Sequence, residues 1–190
     1  MIEDGILKKT GIELEKIEYL GLMIEKGDIK KIQDFLDLHN ISLIASIQPN
    51  MHITCHYFRG KRAINKNLLP DNVFLGQKFK IHISGYGELK NSDGVVLNQG
   101  LLVDKEELDK IKLADKRLTD FIDIEKPHIT IAVNKQRVDG RPIAKAQDTC
   151  KCAFVSGIDQ SKIDFDLTCK LAVVRFGQVY DYVVYDDYQK

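Results

Sequence analysis

Two stretches of this chain carry the same three residues in the same order. MHITCHYF occupies residues 51–58 and KPHITIAV residues 126–133, so His52-Ile53-Thr54 is echoed by His128-Ile129-Thr130. An imidazole titrates near pH ~6.5, so near neutrality one histidine can take a proton while another gives one up. Cleaving a phosphodiester needs that pair: a base for the attacking oxygen and an acid for the leaving oxygen. A hydroxyl two residues from each histidine can donate to the non-bridging phosphate oxygens as charge builds there. A lone His-x-Ser/Thr carries no weight, since Ser and Thr are common. Here three of the five histidines, His52, His82 and His128, have Ser or Thr two positions on.

Strand alternation puts His52, Thr54, His56 and Phe58 on one face and Met51, Ile53, Cys55 and Tyr57 on the other. In the second stretch His128, Thr130, Ala132 and Asn134 share a face, with Ile129, Ile131 and Val133 toward a core. Each strand then offers a histidine and a hydroxyl pointing the same way from a rigid support. His56 is expected on the cleft face, either touching substrate or hydrogen-bonding a neighbouring strand. His52 and His56 at i, i+4 would suit a metal only on a helix. Ile53-Thr54, Pro49 and Gly60 favour a strand, and no Glu follows His52, so the zincin pattern is missing. His82-x-Ser84 runs into Gly85-Tyr86-Gly87 and is read as a non-catalytic strand residue.

MHITC and PHITI resemble the paired motifs of the two-histidine (2H) phosphoesterase superfamily, a hydrophobic residue, His, a hydrophobic residue, Ser or Thr, and a hydrophobic residue. The resemblance extends through the element order to essentially the whole chain. KIHISGYGEL is similar to the strand ending in Gly-aromatic-Gly that lies between the two motifs in that family. The resemblance implies a bilobal α+β fold, two antiparallel sheets with flanking helices around a central cleft. It implies hydrolysis without a metal or other cofactor, His52 and His128 as acid and base, and Thr54 and Thr130 on the phosphate. Its members act on RNA 2′,3′-cyclic phosphates, 2′,5′-oligoadenylates and cyclic oligonucleotides.

The elements that must position these residues follow from periodicity. YLGLMI (19–24) reads as a buried strand. Ile29, Ile32, Phe35 and Leu36 recur at helical spacing behind a capping Asp28, ending near Asn40. SLIASI (42–47) and MHITCHYF read as strands joined by a Gln48-Pro49-Asn50 turn, and QKFKIHISGYGEL as one continuous alternating strand. VVLNQGLLV is a strand, and Asp104 with Glu107 resembles a capping box opening a helix whose stripe is Leu108, Ile111 and Leu118. Residues 134–149 read as a polar loop, CKCAFV as a strand, and the C-terminal segment as a hairpin turning at Phe176-Gly177-Gln178. The order strand, helix, His-strand occurs twice, which fits two α+β halves sharing one cleft in a single domain over 1–190.

Composition narrows the ligand. Lys and Arg total 28 against 28 for Asp and Glu, which argues against a long nucleic-acid track, so any nucleic-acid ligand is expected to be short or locally bound, in keeping with the short nucleotide or RNA-end substrate that the resemblance implies. Basic residues follow both motif strands: Arg59, Lys61 and Arg62 after the first, Lys135, Arg137, Arg141 and Lys145 after the second. Arg141, in Gly-Arg-Pro, is the first choice for binding substrate phosphate. With no Trp, the stacking candidates are Phe58, Tyr86, Tyr180 and Tyr182. The four cysteines lack zinc spacing and read as free thiols. The charged N-terminus and the absence of a spanning apolar run point to an intracellular, cytoplasmic protein with no membrane and no obligate protein partner. A non-catalytic module holding a nucleotide in the same cleft is the competing reading.

Overall fold

The computed structural model describes residues 18–58, 75–175 and 178–180. The chain is α+β, and its described residues build two main antiparallel sheets and two α-helices of ten residues each. Strand β1 (Tyr19–Ile24) leads through a short 3-10 turn into helix α1 (Ile29–Leu38), and β2 (His52–Tyr57) follows. Strands β3 (Lys78–Ile83), β4 (Gly85–Lys90) and β5 (Val96–Leu102) precede helix α2 (Lys105–Ala114) and β6 (His128–Val133). A two-residue ribbon of β7 (Arg137–Val138) and β8 (Arg141–Pro142), then β9 (Ala153–Phe154), β10 (Phe165–Arg175) and β11 (Gln178–Tyr180), complete the described chain. The first sheet runs β11-β10-β1-β2 with β3 also on β10, and the second β6-β5-β4-β9. The two histidine strands therefore close the ends of their sheets.

Burial explains the pairing. Leu20, Leu22 and Ile53 of the first sheet, Leu101, Ile129 and Ile131 of the second, and Ile32, Phe35, Leu108 and Ile111 of the helices are buried in one continuous cluster. Each fully buried Leu or Ile contributes about 1.5–3 kcal/mol over its exposed state. Helix α1 ends where Asn40 takes φ 53°, a left-handed stop that Asn tolerates better than most residues.

Several expectations change in detail. The 42–47 segment forms no strand; the Gln99 side-chain amide takes up the Ile44 N–H and the Ser42 carbonyl instead. The 77–89 run is two strands: beyond Ser84 the chain leaves β10 and pairs with β5, passing from one sheet to the other. Asp28 does not cap α1; its carboxylate accepts from the Thr168 backbone N–H at 2.5 Å. The Asp104–Glu107 capping box does not form either. The Glu107 carboxylate accepts instead from the His82 backbone N–H at 3.0 Å. Leu118 packs from a 3-10 turn (Lys116–Phe121) after α2 has ended. The polar loop holds a hairpin whose turn, Asp139 (φ 51°) and Gly140 (φ 74°), has both central residues left-handed, as Asp-Gly favours. CKCAFV contributes only the end of a 3-10 turn (Ala146–Lys151) and the short β9. Residues 176–177 at the turn of the final hairpin lie outside the described residues.

One irregularity occurs twice and shapes both motif strands. Across from β1, Gly21 pairs with Thr54 and Leu20 with His56, so Cys55 is bulged out of the ladder. Across from β5, Gly100 pairs with Thr130 and Gln99 with Ala132, so Ile131 is bulged out. Both bulges fall three residues after the motif histidine, and both put a glycine opposite the motif threonine. A side chain on either glycine would crowd the motif: a Cβ at Gly21 would stand 3.1 Å from Ile53 O, and one at Gly100 3.1 Å from Ile129 O and 2.5 Å from Thr149 Cγ2. Gly100→Ala should therefore cost about 1–3 kcal/mol, from overpacking against the buried Thr149. Gly27→Ala, which meets nothing within 4 Å, should stay within about 0.5 kcal/mol of wild type. Urea-unfolding midpoints of the two variants check the difference.

Candidate active site

The bulges decide which side chains reach the cleft. A strand that gains one residue inverts its alternation from that point on. His52 and Thr54 lie on one face of β2, and beyond Cys55 that face is continued by Tyr57, not His56. On β6, His128 and Thr130 are followed on their face by Val133, while Ala132 turns inward and is fully buried. His52, Thr54, Tyr57, His128 and Thr130 line one cavity of about 400 Å³, with Tyr19, Gln48, Asn50, Ile124, Ala146, Gln147 and Cys150. That volume suits one small ligand.

The histidines are held alike. His52 Nδ1 lies 2.8 Å from Asn50 O, and His128 Nδ1 2.8 Å from Lys126 O. A carbonyl only accepts, so Nδ1 carries the proton in each bond. Nε2 is then bare on the neutral ring and is the nitrogen available to a ligand. Partial burial pushes the pKa of both rings below the ordinary histidine value, the backbone carbonyls opposing it. For His52 the nearby His128 adds to the depression, so the two rings sense each other electrostatically.

The hydroxyls differ. Thr130 Oγ1 donates to Thr149 Oγ1 at 2.9 Å, and Asn98 Nδ2 donates to the same Thr149 oxygen at 3.0 Å and to Lys145 O at 2.8 Å. Thr54 makes no side-chain hydrogen bond among the described residues. The Tyr19 ring stacks on His52, centroids 4.6 Å apart and planes 18° from parallel, and has no counterpart at His128 among the described residues. Burial pushes the Tyr19 phenol up to about 12, so it stays neutral at pH 7.

The two strands also brace each other. A bulged residue's carbonyl loses its ladder partner and must find a donor. Cys55 O accepts from Asp123 N at 3.1 Å, a residue in the segment leading into β6. Ile131 O accepts from Gln48 N at 2.9 Å, in the segment leading into β2. Buried Gln99 secures that second segment: its Oε1 accepts from Ile44 N at 2.9 Å, and its Nε2 donates to Ser42 O at 2.9 Å and Tyr86 Oη at 2.8 Å.

Four expected site residues, His52, Thr54, His128 and Thr130, are thus brought together. His56 is not on the cleft face: the bulge turns it inward, 4% exposed, with Nδ1 3.1 Å from Asp123 Oδ1 and its ring edge-on to Phe58. It cannot share a metal with His52, which points to the other side of the strand. Tyr86 is not a stacking surface but a fully buried core residue, its hydroxyl donating to Glu88 Oε1 at 2.9 Å. Arg141 sits exposed on the β7–β8 hairpin and does not line the cavity; nor do Lys135, Arg137 and Lys145. Phe58 packs against the core, and the basic residues 59–62, the Tyr180 side chain and Tyr182 lie outside what the structure describes. His82 lies away from the cleft, its Nδ1 3.2 Å from Asp166 Oδ1. Tyr19, Tyr57 and Thr149 escaped the sequence reading. Gly21, two residues beyond the cleft-facing Tyr19, and Gly100, which leaves room for the Thr149 methyl, mark where such neighbours pack. No protein-family model matches this chain, and no curated protein matches it.

Depressed histidine pKa values make stability depend on pH. Above the unfolded-state value of about 6.5 the rings are neutral in both states and contribute nothing. As pH falls below it, the unfolded chain binds protons that the folded chain resists, so stability declines until the folded rings also titrate. Between pH 7 and 5.5 the wild-type urea midpoint should fall more than that of a His52→Gln/His128→Gln double variant. Parallel curves would contradict the depression.

Proposed function

We propose that this chain is a phosphodiesterase of the two-histidine class, bilobal in that class's sense, cleaving a phosphodiester in a short nucleotide or RNA-end substrate. A 2′,3′-cyclic phosphate, a 2′,5′-oligoadenylate and a cyclic oligonucleotide all present such a bond. The supporting observation is the duplication: two His-Ile-Thr strands with the same bulge, opposing glycine and Nδ1–carbonyl bond, facing one cavity.

In this scheme the bare Nε2 of one neutral ring takes the proton of the attacking water or ribose hydroxyl. The oxygen–phosphorus bond forms, and the protonated partner ring gives its Nε2 proton to the departing oxygen as the old bond breaks. The Thr54 hydroxyl is free to donate to a non-bridging oxygen. Thr130 can do so by turning from Thr149. The two rings accomplish the proton transfers without a metal.

His52→Ala and His128→Ala should each reduce turnover by at least about a hundredfold with the fold intact, and a chelator should change nothing. A panel of 2′,3′-cyclic phosphate RNA ends, 2′,5′- and 3′,5′-oligoadenylates and cyclic oligonucleotides, with products read by mass spectrometry, identifies the linkage. Full activity in either variant overturns the scheme, and a ligand recovered intact after long incubation marks a binding module. Because both rings are held below the ordinary value, the bell-shaped rate profile should peak on the acid side of about pH 6.5.

A further inference from the structure

The two halves of the cleft repeat one backbone device but carry different side chains. Tyr19 precedes Gly21 by two residues, and Asn98 precedes Gly100 by two. Tyr19 pairs in register with Tyr57, and Asn98 with Val133. On the second sheet this position is covered: Asn98 is fully buried beneath the 146–151 turn, to which its amide donates. On the first sheet nothing comparable covers it among the described residues. The Tyr19 ring lies back over Gly21 against His52, its Cδ2 and Cε2 3.4 Å from where a glycine Cβ would stand. Tyr57 beside it is 55% exposed. Of the large apolar side chains that are exposed among the described residues, it is the one that lines the cavity. The cleft thus has an aromatic wall on the His52 side and, on the His128 side, a wall of the non-aromatic side chains Ala146, Gln147 and Cys150.

An exposed aromatic ring on the wall of the cavity that holds both histidines fits the face of a heterocyclic base, which stacks with little regard to its identity. We infer that Tyr57, beside Tyr19, is the platform for the substrate's nucleobase, giving the cleft a direction. The base lies on the His52 side of the reacting phosphate, and the other ester group extends toward Gln147 and Cys150. The placement of the phosphate rests on the phosphodiesterase reading; the platform itself does not.

Calorimetry with adenosine 5′-monophosphate and ribose 5-phosphate isolates the base, because the two probes share sugar and phosphate. Wild type should bind the nucleotide about tenfold or more tightly than the sugar phosphate. Tyr57→Ala should lose that advantage while leaving ribose 5-phosphate affinity unchanged, and Tyr57→Phe, which keeps the ring, should retain it. On whichever diester the wild type cleaves, Tyr57→Ala should raise KM far more than it lowers kcat. Equal affinity for the two probes, or a Tyr57→Ala protein that still favours the nucleotide, overturns the platform whatever the enzyme does. Loss of nucleotide binding in Tyr57→Ala, together with full turnover in His52→Ala, keeps the platform and removes the histidine mechanism.

Discussion

A bulge withdraws one residue from a β-ladder and leaves its carbonyl without a partner, at a cost of a few kcal/mol if it is buried that way. In this protein both histidine strands carry such a bulge, and each orphaned carbonyl is satisfied from across the cleft. Cys55 O is met by Asp123 N and Ile131 O by Gln48 N, residues in the segments that deliver the opposite histidine. Neither strand's hydrogen bonding is complete without the other's entry segment. The spacing of the two imidazoles is therefore part of the backbone accounting and does not depend on side-chain packing alone. Gln99 extends the brace by holding Ser42 and Ile44, and Thr149 extends it by holding Thr130.

The same bulges supply the cleft's chemistry. Regular alternation keeps His52 and Thr54 on one face, and the bulges then turn the strands over, so that His56 and Ala132 serve the interior while Tyr57 faces outward. The paired glycines let each neighbouring strand come close behind the motif. Among the described residues, duplication of backbone with divergence of side chains leaves one histidine stacked on a phenol ring and the other without such a ring, one threonine without a side-chain hydrogen bond and the other tied.

Much of this was written plainly in the chain. His52, Thr54, His128 and Thr130 were legible because a repeated tripeptide on two alternating strands is a local pattern, and strands β1, β2, β5, β6 and both helices follow from apolar periodicity. His56 was misplaced because alternation counts residues and cannot see one that drops out of the ladder. Tyr86 and the 42–47 segment were misread because their fate is set by a distant residue, Gln99, whose side-chain amide bonds both. Arg141 drew attention through its Gly-Arg-Pro context, yet that context builds an outlying hairpin instead of a cleft wall. The capping carboxylates failed similarly: Asp28 and Glu107 found backbone donors in Thr168 and His82, far away in sequence.

The strand order also sets a sequence of assembly. In the second sheet β4, β5 and β6 follow one another, and every pairing falls within residues 85–154. The first sheet is organised on β10, which pairs with β1, β3 and β11 and comes from residues 165–175. Bringing β1 against β10 closes a loop of most of the chain, an entropic cost that rises with chain length and slows such pairings. On a ribosome the second sheet's residues emerge as a nearly complete local unit, whereas the β1–β2 pair waits for β10 to cover the other edge of β1. His128 is thus seated early, whereas the sheet that carries His52 is joined to β3 and β11 only once β10 has been made.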